Sequence, residues 1–144
     1  MARMICESRV VQVPTKGNGF HDITDTVRAF VKETRVKTGT CNVFLRHTSA
    51  SLVIQENADP AVLRDLGRWM AKLAPEDSAA YEHDDEGPDD MPAHLRVAVT
   101  RTSETVPVAE SKLLLGTWQA IYLWEHRKRA HTREVVLTVM GMGD

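Results

Sequence analysis

The order of apolar patterns along the chain predicts an α+β fold, an antiparallel β-sheet sandwich packed by helices in a single domain spanning residues 1–144. Three observations carry this prediction. Two stretches repeat apolar residues at helical spacing, with short β-prone runs around them. The C-terminal half breaks into brief apolar segments, each bounded by turn or charged residues. No internal repeat, linker or low-complexity segment divides the 144 residues, a length that can bury one sizeable core without disulfides or metals.

Taken in order, residues 4–13 mix alternation with a short apolar run, and Pro14 followed by Lys16-Gly17-Asn18-Gly19 closes them with a turn signal. The next stretch places Ile23, Val27, Phe30 and Val31 at helical spacing, with Asp22 or Thr24 able to cap the start and Gly39 just beyond the expected end. Residues 40–46 and 51–55 are strand candidates rich in Val, Phe, Leu and Ile. Asp59-Pro60 reads as N-cap and first helical residue, because the Asp side chain accepts an orphan backbone N–H and proline has none to leave unpaired. Val62, Leu63, Leu66, Trp69, Met70 and Leu73 then form the apolar stripe of a helix over 60–73, in which Gly67 weakens helix propensity unless two backbones approach closely there. Residues 74–92 are polar and aperiodic, a long connection of the kind that is functional when ordered. From Ala93 come a short helix or strand, HLRVAV, and then TVPVAE, KLLLG, QAIYLWE and REVVLTVMG, which read as strands. Both faces of QAIYLWE carry sizeable groups, so both are expected to be covered.

Composition excludes several classes. With 42% hydrophobic and 26% charged residues and no apolar run near the ~18 residues of a membrane span, the chain reads as neither disordered nor membrane-spanning. The first ten residues lack the apolar segment of a secretory signal, which predicts a cytoplasmic protein. Cys6 and Cys41 are then expected to be reduced core thiols. A net charge of -2 gives no general attraction to nucleic acid. Charge is uneven, however: EHDDEGPDD at 82–90 is acidic and HRKRAHTR at 126–133 is basic. Each is either a solvated loop or, in the sharper reading, a metal site and an anion site respectively.

Polar chemistry concentrates in residues 39–60, where His47, Thr48, Ser49, Glu56, Asn57 and Asp59 flank two β-prone runs. His47 follows a strand, while His83 and His94 flank the long loop. Imidazole is the commonest metal ligand and the usual physiological acid or base. The spacing matches neither a zinc finger nor HExxH, and structural hydrogen bonding is the competing role for each ring. His21, His126 and His131 lie among charged or turn residues and read as surface groups. Ser49 and Ser51 with His47 invite a Ser-His-Asp reading, which the absence of a GxSxG elbow weakens. LLLGTWQ at 113–119 offers a glycine, an indole and an amide that could line a pocket, and Arg46 could pair with phosphate oxygens.

HTSASLVIQENADP, YEHDD, PAHL and LGTWQ, in this order and at these separations, resemble the signature of the YjbQ family, also called UPF0047 or secondary thiamine-phosphate synthase. The resemblance runs from Asp22-Ile23-Thr24 to the last strand. It departs at Asp90, where relatives often have Asn, and at Arg101-Thr102-Ser103, which replaces a usual Gly-Ser. It implies a homotrimeric α+β sandwich with a polar pocket where the histidine segments meet. It also implies a small cytosolic enzyme that joins an aminopyrimidine diphosphate to a thiazole phosphate with release of pyrophosphate. Carried over by position, the catalytic candidates are His47, Ser49, Glu56, Asn57 and His94, and the metal-ligand candidates are His47, His83 and His94. Arg46, Thr48, Gly116, Thr117, Trp118 and Gln119 are the substrate-binding candidates. A divalent cation, zinc or magnesium, is the expected cofactor, and a small phosphorylated metabolite the expected partner. The alternatives are a trimeric metal- or phosphometabolite-binding module without turnover, and a metal-dependent hydrolase.

Overall fold

The computed structural model describes residues 1–144, the side chain of Ser78 excepted. Its elements are β1 (Arg3–Pro14), β2 (Gly19–Asp22), α1 (Thr24–Thr34), β3 (Val36–Leu45), β4 (Ala50–Glu56), α2 (Pro60–Leu73), α3 (Asp90–Ala98), β5 (Ser103–Ala109), β6 (Lys112–Leu113), β7 (Gln119–Glu125) and β8 (Thr132–Gly143). They build two antiparallel sheets. The larger has the order β1-β8-β3-β5-β6, and the smaller β2-β7-β4.

Alternation decides which side of each strand faces inward. Cys41, Val43 and Leu45 of β3 and Val135, Leu137 and Val139 of β8 turn one face of the large sheet toward Leu52 of β4 and Ile121 and Leu123 of β7. Val27, Phe30 and Val31, the predicted stripe of α1, join this core. The outer side of the small sheet meets α2 and α3, so β7 is buried on both faces from Ala120 to Glu125, as its two apolar faces predict. The outer face of the large sheet has no such cover. Val10, Val136 and Phe44 lie side by side across β1, β8 and β3, and Phe44, Met140 and Met142 are each more than two-fifths exposed.

Several boundaries differ from expectation for physical reasons. Asp59 caps α2 as predicted, its Oδ1 accepting the Ala61 N–H at 2.9 Å. In α1 the Asp22 carboxylate accepts the Thr24 N–H at 2.9 Å, but the helix ends at Arg35 in the left-handed region rather than at Gly39. Gly39 lies inside β3 opposite Gly141, where a Cβ would collide with the Met140 carbonyl. The close approach proposed for Gly67 belongs here instead: nothing lies within 4 Å of a Cβ built at Gly67. The polar connection holds a 3-10 turn at 78–80, and α3 begins at Asp90, three residues before the expected element. KLLLG contributes only the two-residue β6. Cys41 is buried, and burial pushes its thiol up to about 11, whereas Cys6 is exposed on edge strand β1 and is not a core thiol.

Candidate functional site

Asp90 opens α3, where a carboxylate is favoured by the helix dipole, and His94 follows one turn later on the same side. The Asp90 side chain is only 3% exposed. Its Oδ1 accepts from Arg127 Nη1 at 2.7 Å, and its Oδ2 faces His83 Nε2 at 2.7 Å and His94 Nε2 at 3.1 Å. The two rings are 5.4 Å apart at 60°. His83 comes from the long connection, beside a cavity of about 200 Å³ that Tyr81, Asp84 and Met91 also line.

The protons of this group follow from its partners. His94 Nδ1 lies 2.8 Å from the Thr48 carbonyl oxygen, which can only accept, so Nδ1 carries a proton. A neutral His94 therefore turns the lone pair of Nε2 toward the lone pairs of Asp90 Oδ2. That contact is repulsive unless the ring is charged or a cation lies between the two atoms. Burial would raise the Asp90 carboxyl; the hydrogen bond with His83 and the charges of His94 and Arg127 outweigh it and hold the group below its usual range. The hydrogen bond to Asp90 raises His83 in turn.

One ligand atom each from His83, Asp90 and His94 lie within 4.8 Å of one another. Ligands of a four-coordinate zinc, each at ~2.0–2.1 Å, sit roughly 3.3 Å apart, so small side-chain rotations would admit an ion. A histidine whose second nitrogen donates to a backbone carbonyl is the usual outer-shell arrangement of a metal ligand. The donor set, two imidazoles and one carboxylate, thus fits a divalent cation.

His47 does not join this group among the described residues. Its Nε2 accepts the Glu134 N–H at 2.7 Å, and Nδ1 lies 3.5 Å from Arg133 Nη1. Burial, then the Arg133 charge, lower its pKa. The expected trio of imidazoles is instead two imidazoles and a carboxylate, with the HTS segment contributing the Thr48 carbonyl. The Thr48 side chain is exposed, as is Arg46, which has no carboxylate partner among the described residues. Ser49 Oγ accepts from Arg133 Nη2 at 3.0 Å rather than pairing with an imidazole. The serine that does meet a histidine is Ser51, 2.8 Å from His126 Nε2, and both are buried. His126, expected at the surface, is 1% exposed, and burial followed by the Arg96 charge pushes it down to about 3.

The remaining candidates gather at the far end of β4, whose seven residues at ~3.3 Å each span roughly 20 Å. Glu56 Oε2 accepts the N–H groups of Ala58 and Asp59 and shapes the turn into α2. Asn57 Nδ2 donates to the Thr117 and Gln119 carbonyls, and its N–H to that of Trp118. Gly116 N–H donates to Gln119 Oε1 at 2.8 Å, and Trp118 is 64% exposed. Within one chain, these residues do not converge with His83, Asp90 and His94.

Sequence reasoning missed Asp90 as a potential ligand, although its i,i+4 spacing to His94 was a usable signal. It also missed that the acidic and basic runs bind each other. Arg127 donates to both Asp89 and Asp90 and to the Glu86 carbonyl, and the Lys128 N–H donates to Asp89. Arg133 is consumed by Glu125, which is fully buried and also accepts from Thr15 Oγ1 at 2.7 Å. Arg127, Lys128 and Arg133 thus clamp the acidic loop and the core, and Arg129 is the cation of the segment that stays exposed without a carboxylate partner among the described residues.

Comparison with known proteins decides the family. The family model described as UPF0047 protein YjbQ-like matches residues 9–142. The chain belongs to the YjbQ-like UPF0047 family. A UPF0047 protein of Synechocystis sp. is 53% identical over 132 residues, covering 92% of this chain and 90% of the relative. UPF0047 protein YjbQ of Salmonella typhimurium is 44% identical, covering 92% and 96%. Among solved structures, a YbjQ-like protein of unknown function from Sulfolobus solfataricus has a TM-score of 0.87 at 26% identity, over 96% of this chain and 99% of that one. An uncharacterised YjbQ/UPF0047 protein from Clostridium acetobutylicum has a TM-score of 0.81 at 32% identity, over 92% and 98%. The α+β fold predicted from the sequence is thus the fold of this family, and no helix is long and apolar enough to cross a membrane among the described residues.

Proposed function

We propose that this UPF0047 protein is a cytoplasmic, homotrimeric enzyme acting on phosphorylated heterocycles at a divalent cation held by His83, Asp90 and His94. The observation that carries the reading is His94: its Nδ1 proton is committed to the Thr48 carbonyl, so in the neutral ring Nε2 turns a lone pair toward a carboxylate oxygen 3.1 Å away, a contact that a cation between the two atoms relieves. Two imidazoles with one carboxylate favour zinc or a similar transition ion over magnesium, which prefers an all-oxygen shell. Bound there, such an ion would supply charge stabilisation to a phosphate or diphosphate group. The chain's own residues orient the site. Arg127 fixes one Asp90 oxygen and so aims the other at both rings. The Thr48 carbonyl sets the His94 tautomer, and the exposed Arg46 guanidinium two residues away along the chain has no carboxylate partner among the described residues and is available to a phosphate. The candidate reaction is the one implied by the family resemblance, thiamine phosphate formation from an aminopyrimidine diphosphate and a thiazole phosphate. A trimeric cation-binding module without turnover is the second reading, favoured by the separation of the Asn57 and Trp118 cluster from the cation ligands within one chain.

The uncovered row of Val10, Val136 and Phe44 supports self-assembly, since apolar side chains in register across three strands are a surface that a further copy would bury. Metal content and zinc titration of wild type, His83→Ala, Asp90→Asn and His94→Ala test the site. Stoichiometric metal in wild type that falls in all three variants supports it, and unchanged binding refutes it. Formation of thiamine phosphate from the two precursors, abolished in His94→Ala, distinguishes an enzyme from a binding module. Light scattering that gives a trimer for wild type and a smaller species for Phe44→Glu tests the assembly.

A further inference from the structure

Gly67 is the least explained residue of α2. A glycine inside a helix costs stability relative to alanine, and it is normally retained for an unusual backbone angle or a close approach. Gly67 has neither: its backbone is helical and a Cβ there would meet nothing within 4 Å. What the missing side chain leaves is room. Gly67 lines an open groove of about 450 Å³ between α2 and β2, large enough to receive a single ring.

The walls of this groove have a definite chemistry. One side is aromatic: Phe20 stacks on Trp124 with centroids 4.4 Å apart, and Trp124 is otherwise buried. Leu63 adds an apolar side chain from α2. The rim is cationic, with Arg64 and Arg68 one turn apart on the helix, a like-charge spacing that is mildly destabilising by itself. Arg68 pairs with Asp65 on the exposed surface, whereas Arg64 has no carboxylate partner among the described residues. Among the described residues, no carboxylate lines the groove.

The geometry points to a second binding site, between α2 and β2, for a planar aromatic ring bearing a phosphate. The ring would lie over Gly67 against Phe20, which Trp124 backs from below, and the phosphate would reach the unpaired Arg64 fork and the nitrogens of Arg68 that its single contact with the exposed Asp65 leaves open. This site shares no residue with the His83, Asp90 and His94 group, so it stands or falls separately from the cation reading.

Phenyl phosphate is the probe, followed by calorimetry and by the indole N–H resonance of Trp124, with inorganic phosphate and phenol as separate arms. The expected result is saturable binding of phenyl phosphate at least tenfold tighter than either fragment. Gly67→Leu, which substitutes a strong helix former and fills the space, should weaken it at least tenfold with the melting temperature maintained. The Arg64→Gln/Arg68→Gln pair should weaken phenyl phosphate tenfold and leave phenol unchanged. His83→Ala should leave it unaltered. Absence of saturable binding by wild type at millimolar probe overturns the site, as does undiminished binding by Gly67→Leu. Loss of binding in His83→Ala with retention in Gly67→Leu overturns it too, by moving the probe to the cation site.

Discussion

Replacing Arg133 by methionine should be among the most damaging single changes in this protein. Arg133 and Glu125 are 5% and 0% exposed at their side chains, so neither charge is solvated. The guanidinium gives Glu125 two of its hydrogen bonds, through Nε at 2.9 Å and through Nη2, and also holds Ser49 Oγ. Without it, Glu125 keeps the Thr15 hydroxyl and the Arg127 N–H but no permanently charged partner in direct contact, the His131 ring standing 3.7 Å from its Oε1. Leaving one member of a buried ion pair uncompensated costs about 3–5 kcal/mol, against roughly 5–15 kcal/mol of total stability for a typical domain. Near ~3 °C per kcal/mol for a chain of this size, the melting temperature should fall by about 10–15 °C. Acid should narrow the deficit. Burial raises the Glu125 pKa, but the bonds and charge of Arg133 outweigh it and leave the group below its ordinary value in wild type. In wild type this contribution is therefore complete above the unfolded carboxylate range and is lost only as pH falls through the lower folded value. In Arg133→Met burial prevails, Glu125 takes up a proton at higher pH, and the difference from wild type shrinks between pH 7 and about pH 4. Urea melts at pH 7 and pH 4.5 measure both effects, and Glu125→Leu/Arg133→Met should recover most of the loss because apolar isosteres need no partner. A cost below about 1 kcal/mol for the single variant, or a double variant as damaged as the single, would refute the reasoning.

Two further outcomes follow from single residues. His126 titrates at about 3 in the folded chain against 6.5 ordinarily, so between those values the unfolded state binds more protons. Stability should therefore decline as pH drops from 6.5, and His126→Gln should flatten that decline in urea midpoints taken at pH 7 and pH 5. Gly67→Ala should raise stability by ~0.8–1 kcal/mol, since the helical penalty of glycine is removed and nothing lies within 4 Å of the new methyl; a lower melting temperature would expose a contact that the geometry lacks.

What could be read from the sequence was mainly local. The cap at Asp59 and Pro60, the apolar stripe of α1 and the two covered faces of β7 each depend on neighbours a few residues away, and each stands where predicted. β2 escaped notice because its four residues follow a turn-rich segment and pair only with a strand a hundred residues later. Gly39 looked like a helix stop because glycine commonly follows one, yet its constraint comes from Gly141 across the sheet. His126 sits beside Arg127 and Lys128 and so reads as a surface group, although its side chain points beneath the sheet to Ser51. The pairing of His83 and His94 was legible from the order of motifs, whereas the substitution of Asp90 for His47 as their companion depends on which way each side chain turns.

The same distinction bears on where an anionic substrate could be held. Four of the eight residues at 126–133 are Lys or Arg, and read in isolation the run suggests a phosphate site. A guanidinium has a fixed number of donors, however, and a fork already filled by carboxylates gains nothing from an external phosphate while exposing the acids it leaves. Arg127 and Arg133 are filled in this way and Lys128 pairs with Glu76, which leaves Arg129 as the exposed cation of the four without a carboxylate partner among the described residues. Releasing Arg127 to a substrate would free Asp90 Oδ1 and loosen the carboxylate that faces His83 and His94, so phosphate capture by Arg127 and cation binding by Asp90 oppose each other. Positive charge for a phosphate is then more readily drawn from cations without carboxylate partners among the described residues, such as Arg129 and Arg46, and of these Arg46 is two residues along the chain from the Thr48 carbonyl that faces His94.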